Sequence, residues 1–410
     1  MCLTFASCTN NKKTNTTEKD SLDSNTSKKP TKELKDMVYG ICYIPSERYN
    51  FEENIDKDVE LMANLGVGSV RIWAQFDCLL GSTKVDKTIT EPIHKLIAKL
   101  QEKGITPILL NHVSLYKGEN MKSKKFLRDT SKGSKYVSWL NEFYASYKTY
   151  AQEFSEVTYF EVGNELNNND FMKDMNNNSI TSMQDKVDIS TDLLYYAARG
   201  IHAVNKDAKV VMGGITETDR LGGGANADFL EKIYTNINSG EFGYFYNLES
   251  KENASKDPDD YFQVVCWHPY PHGEQIDKES FIKRNNEIYN VVLKYEPEGK
   301  DVFFTEIGFS DNSHTYEENE RAITTLFEAV KEMPYVKAVN YFKLFDSAQI
   351  SWVGTYSRWG LFFDPNPYNL YDNIVEKGEE IPLNGAPKKM AYAFQEAAKG
   401  KGNLEMLVKK

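Results

Sequence analysis

Two short stretches place a glutamate where acid–base chemistry is feasible. In EVGNELNN (161–168) the pair Asn164-Glu165 stands where a β-rich run gives way to polar residues, and Glu306 has a similar position in FFTEIGF. Cleavage of a glycosidic bond needs two carboxyl groups across a pocket. One is protonated and donates to the leaving oxygen, and the other is ionised and attacks the anomeric carbon. Glu165 and Glu306 are the candidates for this pair.

The two glutamates lie far apart in sequence, so the fold must bring them together. Strand-like apolar runs occur at 38–44, 68–76, 106–114, 157–163, 208–214, 261–270, 301–309 and 337–345. Segments of helical periodicity lie between them, such as Ile55, Val59 and Met62 at steps of four and three. Eight strands alternating with helices predict an α/β fold, a single (β/α)8 TIM barrel with long βα loops. Glu165 then ends the fourth strand and Glu306 the seventh, at the barrel mouth where active sites are built.

A doubly wound open sheet is the alternative fold. Such a sheet should carry a glycine fingerprint such as GxGxxG after its first strand, and the stretch YGICYIPSE has none. The barrel is therefore the favoured architecture. We assign it to residues 37–400, between a polar N-terminal region (1–36) and a short C-terminal tail (401–410).

These motifs resemble the clan of retaining (β/α)8 glycoside hydrolases that includes cellulases, mannanases, β-xylosidases and β-galactosidases. The clan has Asn-Glu after strand four and a glutamate at the end of strand seven. The resemblance implies that Glu165 is the acid/base, that Asn164 holds the sugar 2-hydroxyl and that Glu306 is the nucleophile. It also implies a glycan substrate and no cofactor or metal.

Further matches to the clan are Arg71 in VRIW on strand two, His268 and Tyr270 in WHPYP on strand six, and Trp352 in a late loop. The ending WGLFFDPNP, followed by PKKMAYAF, resembles the closing motif of several member families. WHPYP and FEVGNE are most similar to the families around β-xylosidase and α-iduronidase. Those families usually have Trp and Pro on either side of Asn-Glu, where this chain has Gly and Leu.

Strand alternation places Arg71 inside the barrel, where a guanidinium needs a carboxylate partner. That partner is Glu306, whose ionised form it would hold, or Glu161, which faces inward by the same rule; the two pairings are compatible. Glu161 is expected to be structural. Tyr270 is expected to orient Glu306.

Other candidate contacts to the sugar carry alternatives. His268 and His112 each line the sugar pocket or satisfy a loop carbonyl. Trp73, with three further tryptophans at strand ends or in the following loops, suits the C–H face of a sugar ring or packs a loop core. The remaining members of this group are Trp267, Trp352 and Trp359.

Two other classes of function are open. The first is a carbohydrate-binding barrel without catalysis, which the presence of Asn164 and both glutamates disfavours. The second is a Schiff-base enzyme of the aldolase type that would use Lys343, inside the apolar run NYFKLFD. An ion pair at the barrel rim or interior is the alternative for this lysine.

The N-terminal region predicts a location. The stretch LTFASC ends in Ala-Ser-Cys8 and resembles the lipobox of bacterial lipoproteins, in which the cysteine becomes lipid-bearing. Only seven residues precede Cys8, so either the sequence starts inside a longer signal peptide, which is the interpretation we favour, or the match is due to chance. Residues 9–33 hold one large apolar residue among Asn, Thr, Ser and Lys, which is typical of a disordered tether. We expect a lipid-anchored, extracytoplasmic protein.

Charge and composition limit the partners. The net charge of −11 and the pI near 5.3 disfavour binding to nucleic acid or to an acidic membrane surface, so we expect membrane association only through the lipid anchor. The five cysteines form no metal or disulfide spacing, and Cys42, Cys78 and Cys266 lie in or beside apolar runs as expected of buried thiols. We expect a monomer that acts on an oligo- or polysaccharide.

Overall fold

Eight parallel strands close into a barrel in which each strand pairs with its neighbours in sequence and the first pairs with the last. The computed structural model describes residues 33–74, 85–111, 128–172, 179–216, 226–271, 276–311, 314–347, 357–366, 373–376 and 379–408. The strands are β1 (Val38–Tyr43), β2 (Ser69–Ala74), β3 (Thr106–Asn111), β4 (Tyr159–Asn164), β5 (Lys209–Thr216), β6 (Val264–His268), β7 (Asp301–Ile307) and β8 (Val336–Tyr341). The predicted (β/α)8 fold is confirmed.

In the described part of the chain, seven α-helices connect the strands and an eighth follows β8. They are α1 (Phe51–Leu65), α2 (Lys87–Glu102), α3 (Lys135–Glu153), α4 (Met183–His202), α5 (Asn226–Ser239), α6 (Lys278–Tyr295), α7 (Tyr316–Val330) and α8 (Lys389–Ala397). Local sequence sets their ends: α7 starts with a capping box between Thr315 and Glu318, and α1 ends at Gly66, whose φ of 83° favours glycine. A hairpin that the sequence did not predict, β9 (Asn373–Glu376) with β10 (Glu379–Pro382), lies between β8 and α8.

Two apolar layers follow from strand alternation. Outward-facing residues such as Phe304 pack against the helices in one continuous core. Inward-facing residues, among them Tyr159 and Phe303, fill the barrel interior. Truncating a buried side chain such as Phe304 to Ala would cost about 3–5 kcal/mol. The apolar side chains inside the barrel therefore pack firmly between the strands, and polar side chains replace them towards the C-terminal ends of the strands.

The N-terminal end of the barrel is closed by the segment before β1. Leu34 packs on the interior cluster, and its backbone N–H donates to the Tyr159 hydroxyl at 2.8 Å. Cys42 and Cys266 are buried free thiols, as expected from their apolar surroundings, whereas Cys8 and Cys78 lie outside the described residues. Within the described part of the chain, none of the helices has the length and apolar character that a membrane crossing requires.

Candidate active site

Glu165 reaches the barrel mouth because the backbone leaves regular strand geometry at the end of β4. Gly163 has φ 79° and Glu165 has φ 46°, both in the left-handed region. Glycine adopts this conformation without cost, whereas a glutamate there is strained and must be held by its surroundings. The inward–outward alternation therefore stops after Val162, and both Asn164 and Glu165 face the mouth of the barrel, where Glu165 is 8 % exposed.

Glu306 is also turned by an irregularity. Phe303 faces the interior and Phe304 the helices, so simple alternation would turn Thr305 inward and Glu306 outward. The register between β7 and β8 shifts between Phe304 and Ile307, and such shifts redirect side chains. As a result Glu306, also 8 % exposed, faces the same space as Glu165. One carboxylate oxygen of each glutamate lies within 4.8 Å of the other.

Arg71 on β2 is the charged centre beneath this space. It contacts Glu161 through Nε–Oε2 at 2.7 Å and Nη2–Oε1 at 2.9 Å, and Glu306 through Nη1–Oε2 at 2.9 Å. Its Nη2 also donates to Asn164 Oδ1 at 2.7 Å. Burial lowers the pKa of a guanidinium, but the two carboxylates outweigh this effect and hold the pKa of Arg71 well above its usual range. Arg71 therefore makes both of the pairings that the sequence left open.

Tyr270, just after β6, holds the other side of Glu306. Its hydroxyl donates to Glu306 Oε1 at 2.7 Å. Burial, together with the nearby Glu306 carboxylate, raises the pKa of the Tyr270 phenol well above its usual range. The phenol thus keeps its proton and remains a donor. Glu306 is held between two donors, Arg71 on Oε2 and Tyr270 on Oε1.

A chain of hydrogen bonds runs from Glu165 into the barrel interior. His268 contacts Glu165 Oε1 through Nδ1 at 3.1 Å and Thr305 Oγ1 through Nε2 at 3.0 Å. Thr305 uses its only proton to donate to Glu161 Oε1 at 2.9 Å. His268 Nε2 must therefore carry the proton of that contact. In the neutral ring Nδ1 is then an acceptor, which pairs with a protonated Glu165 carboxyl.

Space for the His268 ring comes from Gly214, near the end of β5. The register between β5 and β6 shifts between Val211 and Ile215, around Gly213 and Gly214. A Cβ atom added at Gly214 would lie 2.1 Å from His268 Nε2. No side chain larger than hydrogen fits there unless the buried ring moves.

Aromatic rings lie beside Arg71 and Tyr270, the two residues that hold Glu306. Trp73 is 8 % exposed, lies 5.7 Å from the Arg71 guanidinium, and has its ring centroid 6.5 Å from that of Phe171. Trp359 contacts Tyr270 edge-on, at 5.6 Å between centroids. Trp267, by contrast, is fully buried and donates to Asn285 on α6 at 2.7 Å, so it serves the core.

The other predicted residues divide into two groups. His112 and Trp352 lie outside the described residues. Lys343, the candidate Schiff-base lysine, is 3 % exposed and its ammonium is ion-paired with Glu47 after β1. An ion-paired ammonium is not a nucleophile, so the rim ion pair is the arrangement found.

Sequence reasoning missed three residues of the site. Alternation alone could have placed Thr305 and Cys266 inward, because each lies two residues from another inward-facing position. Their contact, at 2.9 Å between Sγ and Oγ1, completes the surroundings of the Thr305 hydroxyl. Asn168, whose Nδ2 lies 2.5 Å from Glu165 Oε2, had no such signal because it belongs to a loop.

Among the described residues, two sets of three side chains bring possible metal-donor atoms within 4.8 Å of one another: Glu161, Cys266 and His268, and Glu165, His268 and Glu306. Hydrogen bonds and ion pairs within the protein already use these groups. The Arg71 guanidinium neutralises both Glu161 and Glu306 and would repel a cation placed between them. The donor set fits proton transfer better than metal binding.

Known proteins resemble this chain in sequence and in fold. Residues 25–375 match the sequence profile of Cellulase (glycosyl hydrolase family 5). A search among curated proteins gave no significant match. In structure, the chain is similar to the family 1 β-glucosidase of Thermotoga maritima, with 14% identity, TM-score 0.59 and coverage of 91% of this chain and 100% of that one. It is also similar to a family 39 glycoside hydrolase from the gut symbiont Bacteroides cellulosilyticus WH2, with 13% identity, TM-score 0.57 and coverage of 88% of this chain and 63% of that one.

The structural similarities, at such low identity, establish a common (β/α)8 fold. The profile match spans most of the chain, and the barrel it covers presents a pair of glutamates at its mouth. The chain therefore belongs to the cellulase family, glycosyl hydrolase family 5, and is a glycoside hydrolase.

Proposed function

We propose that this protein hydrolyses a β-linked glycan with retention of anomeric configuration, through a covalent intermediate on Glu306. The observation that carries the proposal is the spacing of Glu165 and Glu306, which have a carboxylate oxygen of each within 4.8 Å of the other. Retaining enzymes hold these groups at about 5–5.5 Å, whereas inverting enzymes need about 6.5–9.5 Å to admit a water. The match to a cellulase family makes β-glucans the first substrates to test.

In the first step Glu306 attacks the anomeric carbon. A C–O bond forms to its carboxylate as the glycosidic C–O bond breaks, and the proton of Glu165 goes to the leaving oxygen. Arg71 and Tyr270 hold Glu306 ionised and oriented, because each donates to one of its oxygens. The neutral form of His268, fixed by Thr305, matches the protonated Glu165 that this step needs.

In the second step water displaces the Glu306 carboxylate from the anomeric carbon. Glu165, now ionised, takes a proton from water as the oxygen attacks the anomeric carbon, and the ester to Glu306 breaks. The released carboxylate returns to Arg71 and Tyr270, and Glu165 is again protonated. Two inversions give a product with the configuration of the substrate.

Asn164 is proposed to hold the 2-hydroxyl of the sugar. Arg71 Nη2 donates to Asn164 Oδ1, which fixes the amide and leaves its nitrogen to act as a donor. Trp73 and Trp359 are proposed to present aromatic surface to the sugar. Hydrogen bonds to the 2-hydroxyl strengthen in the transition state, so Asn164 is expected to affect kcat as well as KM.

Kinetics of two alanine variants test the roles. Dinitrophenolate leaves without a proton, so Glu165→Ala should retain kcat/KM on dinitrophenyl β-glycosides and lose it on phenyl β-glycosides and polysaccharides. Glu306→Ala should lose turnover of all of them, and added azide should restore activity with an inverted product. Azide added to Glu165→Ala should give a retained glycosyl azide. Glu47→Gln is the matched control, since Glu47 is a rim glutamate paired with Lys343.

Two results would overturn the assignment. One is equal loss of activated and unactivated substrates in Glu165→Ala, and the other is wild-type turnover in Glu306→Ala. Inverted product from the wild-type enzyme, followed by NMR of the anomeric proton, would contradict retention. A panel of dinitrophenyl and phenyl β-glucosides, cellobiosides, mannosides, xylosides and galactosides identifies the sugar.

The two other classes of function gain no support from the geometry. A barrel that only binds carbohydrate does not need Glu165 and Glu306 in contact with His268, Arg71 and Tyr270. A Schiff-base enzyme would need a neutral Lys343 amine, and this lysine is ion-paired.

We also propose that the protein is lipid-anchored outside the cytoplasm. The support is the Ala-Ser-Cys8 motif and the polar tether that follows it. An extracytoplasmic glycosidase anchored at Cys8 would meet its polysaccharide before uptake.

A further inference from the structure

Asn168 contacts the oxygen of the Glu165 carboxyl group that His268 does not contact. Its Nδ2 donates to Glu165 Oε2 at 2.5 Å, and the residue has no exposed surface. His268 Nδ1 lies 3.1 Å from the other oxygen, Oε1. Each oxygen of the Glu165 carboxyl thus has its own side-chain partner.

The loop fixes which end of the Asn168 amide faces Glu165. Its Oδ1 accepts from the backbone N–H of Asp170 at 2.9 Å. Its own backbone N–H donates to Glu165 O at 2.8 Å, and its carbonyl accepts from Met172 N at 2.9 Å. A flipped amide would place two N–H donors against the Asp170 N–H, so Nδ2 must point at Glu165.

The backbone at Glu165 explains why such a contact is needed. Its φ of 46° is unfavourable for a residue with a Cβ atom, so neighbouring contacts must hold the side chain in place. Asn168 supplies two of these contacts, one to the Glu165 carbonyl and one to its carboxyl. A turn of four residues, 165–168, therefore links the backbone conformation at Glu165 to the direction of its side chain.

The charges around Glu165 come from several strands. His268 contacts it from β6, Tyr270 lies beyond β6, Glu306 faces it from β7, and Arg71 from β2 binds Glu306. The amide of Asn168 adds a neutral donor to this set. A donor to a carboxylate oxygen favours the ionised form of the carboxyl group.

We propose that Asn168 is a positioning residue that fixes the orientation of the Glu165 carboxyl and limits how firmly it keeps its proton. This proposal rests on the acid/base role proposed for Glu165. Asn168 acts through Glu165 and is not itself a catalytic residue. Its loss should impair proton donation to poor leaving groups while leaving attack by Glu306 intact.

Two substitutions at Asn168 distinguish the effect of its size from the effect of its hydrogen bond to Glu165. Asn168→Asp keeps the size and the acceptor for Asp170 N, but replaces the donor with a second carboxyl group. Asn168→Leu removes the donor and the acceptor. The matched control is Asn167→Asp, because Asn167 is equally buried in the same loop but exchanges its hydrogen bonds with the Thr216 backbone, at 2.7 and 2.9 Å.

The primary readout is the ratio of kcat/KM for phenyl and dinitrophenyl β-glycosides of the same sugar. In Asn168→Leu this ratio should fall about tenfold or more, with the dinitrophenyl value within about threefold of wild type. In Asn168→Asp the basic limb of the pH–kcat/KM profile should move up by about one pH unit, because two neighbouring carboxyl groups share a proton. The carboxyl ¹³C NMR signal of Glu165 is identified by its absence in Glu165→Gln. Its titration midpoint in the free enzyme should move up by the same amount in Asn168→Asp.

Equal effects of Asn167→Asp and Asn168→Asp on the ratio and the pH limb would overturn the proposal, since both would then act through the loop. The proposal would also be overturned if both Asn168 variants are folded by circular dichroism but keep the wild-type kcat/KM ratio and the wild-type basic limb of the pH profile. Glu165→Ala measured beside them keeps the two claims distinct. If Glu165→Ala loses both substrates equally, the proposed function fails. If it behaves as proposed and the Asn168 variants match the control, only the role of Asn168 fails.

Discussion

Replacing Arg71 with methionine should destabilise the protein strongly, because it leaves a buried carboxylate without its cation. Glu161 has no exposed surface and receives two hydrogen bonds from Arg71. After Arg71→Met its main remaining donor is the Thr305 hydroxyl. Breaking a buried ion pair in this way costs about 3–5 kcal/mol.

The expected change in melting temperature follows from chain size. A chain of 410 residues unfolds with an entropy of about 0.9 kcal/mol per kelvin, so Arg71→Met should lower Tm by about 3–6 °C. Adding Glu161→Gln removes the unpaired charge. The double variant should therefore lose less than the two single variants added together, by about 1–3 kcal/mol.

Differential scanning calorimetry and guanidinium unfolding of the two single variants and the double variant measure this coupling. A Tm for Arg71→Met within about 1 °C of wild type would refute the reasoning. Additive losses in the double variant would also refute it, because they would mean that Arg71 and Glu161 do not depend on each other.

Three further predictions concern other parts of the molecule. Gly214→Ala should displace His268, and should therefore lower the free energy of unfolding by about 1–3 kcal/mol and kcat/KM by about tenfold or more. Gly104→Ala, where no atom lies near the new Cβ, should leave kcat/KM unchanged. Equal kcat/KM values for the two variants would contradict this prediction. Burial raises the pKa of Asp346 to about 6 against the opposing charge of its partner lysine, so its contribution to stability is present below about pH 4 and lost as the pH rises through about 6. Between those pH values the wild-type protein should lose roughly 2–3 kcal/mol of unfolding free energy relative to Asp346→Asn. Parallel curves of unfolding free energy against pH for the two proteins would contradict this prediction. Cys8→Ala should abolish metabolic labelling by a fatty acid, and unchanged labelling would rule out the anchor at that residue.

Local periodicity was enough to predict the barrel. Alternation along β2 placed Arg71 inside, and the structure shows it there in contact with Glu161 and Glu306. The same rule fails at Glu306, which should have faced the helices. The register shift beside it depends on pairing with β8, and pairing between strands is not visible in the sequence of one strand.

Contacts between loops were equally hidden. The ammonium of Lys388, before α8, lies between Asp311 and Asp346 in a fully buried cluster. These residues come from three separate segments, and nothing in their local sequence distinguishes them from surface charges. Asn168 was missed for a related reason: its function depends on a left-handed turn at Glu165, which glutamate rarely adopts.

The most direct test of the central claim is to trap the glycosyl-enzyme. A 2-deoxy-2-fluoro glycoside with a dinitrophenyl leaving group, made from the sugar preferred in the aryl glycoside panel, should form the ester quickly and release it slowly. Mass spectrometry of the intact protein and of its peptides should then show one added sugar, attached to Glu306, and none in Glu306→Gln. An adduct on another residue, or turnover to an inverted product without any adduct, would contradict the account.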